Sequence, residues 1–232
     1  MSKLSSFLHA SFEALYRRLS PKRYKQYREL FFWKGRAANE PVLVNDHFAF
    51  FYTGYFGLDE AFYTAKRVLD IGCGPRGSLE WAGMAAERVG LDPLANEYLK
   101  LGAGCQQMKY VAAPAEEIPF ADGYFDVVSS FNSLDHVDDL WRSIAEIKCV
   151  VKPGGLFLLI VEANHPAMVT EPVTFGWNDT ALFEDVFRVE SCRRYEIDDS
   201  NIYGQLAKNA FFDPSLGEDR AGFLAVKFGK RG

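Results

Sequence analysis

Residues 67–81, RVLDIGCGPRGSLEW, restrict the fold of this chain more than any other stretch. Val68, Leu69 and Ile71 form a short apolar run that breaks into Gly72, Gly74 and Gly77 around Pro75, and an apolar pattern resumes at Leu79 and Trp81. This predicts a buried strand, a tight glycine turn and a helix from about Gly77 to Ala86. Such a junction makes a ligand site, because glycines let a ligand approach the backbone and the first helical N–H groups have no internal partner.

The spacing of Gly72, Gly74 and Gly77 matches G-x-G-x-x-G, a pattern that binds dinucleotides. Asp70 argues against that ligand, since it sets a carboxylate at the mouth of the turn where a pyrophosphate would meet like charge. The same carboxylate favours a cation. S-adenosylmethionine, with a sulfonium and an ammonium against one carboxylate, suits it. A glycine turn that closes a strand–helix unit with no ligand is the alternative.

The 232 residues suffice for one α/β domain with an appendage. A formal charge of -5 argues against a nucleic-acid partner, which needs a basic face. Cys73, Cys105, Cys149 and Cys192 show no C-x-x-C spacing, and no signal peptide or apolar run of membrane length is visible, so a reducing cytoplasm and no membrane association are expected. His9, His47, His136 and His165 are scattered, and no metal site is expected.

Residues 1–63 are expected to form an N-terminal helical and aromatic cap on a domain spanning 64–232. Leu4, Phe7, Leu8, Phe12, Leu15 and Leu19 have helical spacing, Pro21 interrupts, and a second helix runs from Tyr24 to Trp33. Arg17, Arg18, Lys22, Arg23, Lys25 and Arg28 cluster there, either as a solvated face or as a holder for an anionic ligand. Residues 35–63 are dense in aromatics, including Tyr52, Tyr55 and Phe56, which suits a cap over the core or a pocket wall.

Beyond the glycine turn the chain alternates strand and helix. A strand at Arg88–Leu91 ends in Asp92, about twenty residues past the turn, where a carboxylate can meet ribose hydroxyls or cap the helix after Pro93. Strands follow at Tyr110–Ala112, Phe125–Ser129 and Leu156–Val161, with Asp138 and Asp139 capping a helix over Leu140–Val150. Residues 163–180, with His165 and Trp177, read as a lid, and 198–221 as a long connection between two last strands.

VLDIGCGP at 68–75, VGLDPL at 89–94, AEEIPFADGYFDVV at 115–128 and VKPGG at 151–155 together resemble the class I S-adenosylmethionine-dependent methyltransferases. The resemblance implies a doubly wound α/β fold with a seven-stranded, mostly parallel sheet in the order 3-2-1-4-5-7-6, the last strand antiparallel. It implies S-adenosylmethionine as cofactor, with Asp70, Gly72, Cys73 and Gly74 around its methionine part and Asp92 on its ribose. Pro93, Leu94, Ala115 and Glu116 fall beside the adenine, and Phe131 and Asn132 at the end of the fourth strand. Many relatives carry an Asp where this chain has Pro114, so backbone groups or Glu116 must meet the adenine amino group.

Methyl transfer is an in-line displacement governed by alignment, and a base helps chiefly when the acceptor is an oxygen. His136 and His165 are candidate bases, with packing of the helix start the alternative for His136. Tyr52, Tyr55, Phe56 and Trp177 are candidate walls for a small-molecule acceptor, in a lid made where residues 35–63 and 163–180 meet. A nicotinamide-dependent oxidoreductase and a non-catalytic cofactor-binding protein are the competing function classes.

Overall fold

The computed structural model describes residues 13, 15–40, 48–197 and 202–232. Most of the first expected helix, with His9, and the stretch with His47 lie outside the described residues; residues 15–19 are helical. Helix α1 (Pro21–Asn39) follows, with Pro21 in its first turn, where the missing N–H costs nothing.

The strands are β1 (Arg67–Ile71), β2 (Glu87–Leu91), β3 (Lys109–Val111), β4 (Phe125–Phe131), β5 (Val151–Ala163), β6 (Phe187–Glu196) and β7 (Gly222–Lys230). They form one sheet in the order β3-β2-β1-β4-β5-β7-β6, as expected. Strands β1 to β5 pair in parallel, and β7 runs antiparallel to both β5 and β6. Strand order reverses between β1 and β4, and a parallel sheet opens a crevice at the C-terminal ends of such a pair.

Side chains alternate across the sheet, so each strand feeds two cores. Leu69, Ile71, Val128, Phe157, Leu159 and Val226 face one side, where helix α3 (Leu140–Val150) packs through Ile144, Ile147 and Val150. On that helix Asp139 accepts the Arg142 N–H at 3.0 Å, the expected cap, whereas Asp138 pairs with lysines of α1. Val68, Val127, Leu158, Ile160 and Ala225 face the other side.

That second side differs from expectation. Residues 72–86 form turns and no helix. Their hydrogen bonds are of the short i to i+3 kind, as in Glu80 to Gly77 and Ala82 to Leu79. The Arg88 guanidinium donates to the carbonyls of Leu79 and Glu80, which an α-helix would need for itself, and the Glu80 carboxylate is taken by the N–H groups of Gln107 and Met108. The space is filled by the aromatic segment: Phe51, Tyr52, Tyr55, Phe56 and Tyr63 are buried against the sheet beside Leu79 and Leu206. Leu206 belongs to helix α4 (Ile202–Lys208); a short helix α2 (Ala95–Lys100) follows β2. No helix of the described residues is long and apolar enough to cross a membrane.

Candidate active site

The glycine turn leaves β1 with Gly72 and Gly74 at φ of 72° and 57°, a backbone region that side chains disfavour. At Gly72 the lack of a side chain is also a packing requirement, since a β-carbon there would stand 2.2 Å from Ser133 Cβ. Ser133 Oγ in turn donates to the Ile71 carbonyl at 2.7 Å, tying the ends of β1 and β4 together.

Asp70, on the aromatic side of β1, is opposite Ser129 of β4 in the register. Its Oδ1 accepts from Ser129 Oγ at 2.6 Å, and its Oδ2 from Ser78 Oγ at 2.5 Å and Tyr52 Oη at 3.1 Å. Burial nevertheless pushes its pKa up to about 6, the three hydroxyl donors opposing the shift. Asp92, at the end of β2, accepts the Leu94 N–H at 2.8 Å and is pushed up to about 7, again by burial. Neither carboxyl forms an ion pair among the described residues. Two buried acids with raised pKa values, side by side at strand ends, are a place for a ligand that brings hydroxyl donors or positive charge.

Two cavities meet here. The larger, about 420 Å³, is lined by Asp70, Gly72, Cys73, Gly74 and Asp92 with aromatic walls from Trp33, Phe48, Tyr52, Phe131 and Tyr203. The smaller, about 140 Å³, is lined by Pro93, Leu94, Pro114, Ala115 and Glu116 and shares Gly72, Asp92, Asn132, His136 and Glu29 with the first. Asn132, at φ 52°, turns the chain out of β4 and donates its N–H to the Ile160 carbonyl. Glu116 reaches the N–H groups of Asp138 and Asp139 at 2.7 and 2.9 Å, so one of its carboxylate oxygens is committed to the start of α3. The eleven cofactor positions expected from the sequence therefore all line one or other cavity.

The acceptor walls divide differently. Tyr52 lines the larger cavity, but Tyr55 and Phe56 are buried in the cap beneath it, Tyr55 under the Arg193 guanidinium and Phe56 against Phe131. Trp177 packs on Phe212 at 4.6 Å and donates to the Glu218 carbonyl at 2.7 Å, outside the cavity walls. Residues 163–180 fold back along the sheet end through Asn164 to Phe175 and Val173 to Asp135, because Phe175 and Trp177 are core side chains. Thr170 of that segment lines the smaller cavity, while Phe48 and Tyr52 of the aromatic segment line the larger.

Helix α1 also covers the cavities. Glu29, Phe32 and Trp33 line the larger cavity, and Lys22, Lys25, Gln26 and Glu29 the smaller. Lys25 donates to the His136 carbonyl at 2.7 Å and pairs with Asp138, which Lys22 joins at 3.1 Å. Part of the basic cluster thus fastens α1 to the rim, while Arg17, Arg18 and Arg23 are exposed. His136 lines both cavities; His165 lines neither and is buried behind. Glu29, Trp33, Ser78, Ser133 and Tyr203 were not singled out from the sequence, although Glu29 and Trp33, four apart on one helix, are a legible pair.

Residues 69–159 match a family model described as a methyltransferase domain. Over these residues the chain is similar to methyltransferase domains. Its fold is similar to that of solved structures, including an S-adenosylmethionine-dependent methyltransferase from Mesorhizobium loti (21% identity, TM-score 0.53, 74% of this chain and 93% of that one). The cyclase SpnF has the same fold at 18% identity and a TM-score of 0.55, covering 74% of this chain and 78% of its own. In sequence the chain is 39% identical over 95 residues to an uncharacterized methyltransferase of Mycobacterium sp. (strain JLS), covering 40% of this chain and 38% of that protein. It is 35% identical over 125 residues to demethylmenaquinone methyltransferase of Renibacterium salmoninarum (53% and 49%) and 29% identical over 125 residues to chloroplastic tocopherol O-methyltransferase of Arabidopsis thaliana (50% and 36%). The chain spans half or less of the length of these three relatives.

Proposed function

We propose that this protein binds S-adenosylmethionine in the crevice between β1 and β4 and transfers its methyl group to a small-molecule acceptor. The observation that carries the reading is the pair of buried carboxyls, Asp70 and Asp92, facing one continuous crevice with no cationic partner among the described residues. A cofactor with a ribose diol and a sulfonium fits that donor set. When bound, it supplies an electrophilic methyl group.

The chain's own residues then do three things. Asp92, fixed by the Leu94 N–H, offers its carboxylate to hydroxyl donors, while Pro93, Leu94, Pro114 and Ala115 wall a flat apolar slot for a purine. Asp70, held by three hydroxyls, keeps negative charge beside the glycine turn. Trp33, Phe48, Tyr52, Phe131 and Tyr203 leave an aromatic chamber for the acceptor and exclude water, which favours a mostly apolar small molecule. Alignment in such a chamber supplies much of the rate. Two relatives are named for small-molecule acceptors, tocopherol and demethylmenaquinone, which agrees with this chamber.

The test is incubation of the protein with methyl-labelled S-adenosylmethionine and fractionated metabolite extracts. Label appearing in a low-mass product, with S-adenosylhomocysteine released, supports the reading; binding of cofactor with no label transfer to any fraction favours a non-transferring role.

A further inference from the structure

Behind His136 stands a second set of titratable groups. Asp135, in the one-turn segment Leu134–His136 that follows β4, is 1% exposed, and His165, from the connection after β5, is 4% exposed. Asp135 Oδ1 lies 4.0 Å from His136 Nε2, and Asp135 Oδ2 lies 3.8 Å from His165 Nε2. Asp135 Oδ1 and His165 Nε2 are both buried without a hydrogen-bond partner in the structure. A buried carboxyl with an unmet oxygen is costly, and the proton carriers facing it are the two imidazoles.

The surroundings define the charge balance. Burial raises the Asp135 carboxyl above its usual range; Glu171 adds to this, and the two histidines oppose it. Glu162, at the end of β5, is itself raised by burial and by Glu171 and Asp135. On the side of α1, Lys25 is spent on the His136 carbonyl and on Asp138. The His165 ring is held from its other nitrogen by the Pro166 carbonyl at 3.1 Å. The cluster is therefore anchored at its buried end and meets the crevice through His136, which is 30% exposed at its side chain.

We propose that Asp135 is a positioning residue that holds His136 with its proton on Nε2, so that Nδ1 takes the proton of a hydroxyl acceptor. This rests on the methyl-transfer reading and deepens it by assigning the acceptor's chemistry. The acceptor O–H bond breaks, its electron pair stays on oxygen as the nucleophile, and the proton forms an N–H bond at Nδ1. The resulting imidazolium is stabilised by Asp135 and later gives its proton to water. A neutral amine needs no such base, whereas a hydroxyl does. At 4.0 Å the buried carboxylate favours, already in the ligand-free site, the imidazole tautomer whose N–H faces it.

The experiment is nitrogen NMR on 15N-histidine-labelled, ligand-free protein at a pH where the imidazoles are neutral, with the His136 signals identified by their loss in His136→Gln. The wild type is expected to show His136 mainly as the Nε2–H tautomer, and Asp135→Asn to lose that preference. S-adenosylhomocysteine affinity, measured by calorimetry, is expected to stay the same in Asp135→Asn. A His136 tautomer protonated on Nδ1 in the wild type, or one that Asp135→Asn leaves unaltered, overturns the proposal. If Asp135→Asn does not fold, the wild-type tautomer decides alone. Failure of wild-type protein to bind S-adenosylhomocysteine would overturn the methyl-transfer reading, while the NMR result would still judge the Asp135–His136 pair.

Discussion

The indole of Trp33 lies against the glycine turn: a β-carbon on Gly74 would stand 3.2 Å from Trp33 Cζ2. The ring is oriented by a 2.7 Å hydrogen bond from its Nε1 to Glu29 and flanked by Arg76, which pairs with Glu40 at the end of α1. Helix α1 is in this way clamped to the glycine turn after β1.

Gly74→Ala tests the clamp from the loop side. The left-handed backbone at this position costs a side chain about 1 to 2 kcal/mol, and the indole must also move. The expected result is a lower melting temperature and at least several-fold weaker S-adenosylhomocysteine binding. Trp33→Ala should weaken binding with a smaller loss of stability, and should speed hydrogen exchange at residues 72–76; unchanged exchange there would contradict the clamp.

Acidity gives a second prediction. Asp70 and Asp92, with pKa values raised to about 6 and about 7, hold protons in the folded protein at pH values where the unfolded chain has released them. Ligand-free stability therefore falls as pH rises from about 4 through about 7, by on the order of 3 kcal/mol per carboxyl. A ligand that donates hydrogen bonds to the ionised carboxyls is favoured in the opposite direction, so its affinity should rise across the same window and level off above it. Denaturation midpoints with and without S-adenosylhomocysteine at pH 5 and pH 8 check both signs.

The residues placed outside the crevice make a third prediction. Trp177→Phe loses the hydrogen bond to the Glu218 carbonyl, worth about 1 kcal/mol, and should lower stability while leaving S-adenosylhomocysteine affinity alone. Tyr55→Phe should likewise leave affinity unaltered. A tenfold loss of affinity in either would place those rings at the ligand.

Local patterns made the strands and their ends legible. Alternation in β1 puts Asp70 on one face between Leu69 and Ile71 on the other, and the glycines that follow mark the crevice. The missing helix after the turn is not legible, because what undoes it is the Arg88 guanidinium and the backbone of Gln107 and Met108, contacts made by later parts of the chain. The cover of the site was hidden for the same reason. Lys25 meets His136 across 111 residues, and no periodicity within α1 distinguishes a solvated lysine from one that reaches the end of β4. Aromatic density pointed to the cap, but Tyr55 and Phe56 are spent on the sheet face and Tyr203, near the other end of the chain, completes the chamber.

The central claim is that the crevice beside Asp92 holds the cofactor through its ribose. Calorimetric titration of S-adenosylhomocysteine into wild type and Asp92→Ala, with circular dichroism as the check on folding, tests it most directly. One molecule bound per chain, and affinity reduced by about 1 to 3 kcal/mol in the variant, is the predicted result; no binding to the wild type, or equal affinity in a folded Asp92→Ala, would contradict it.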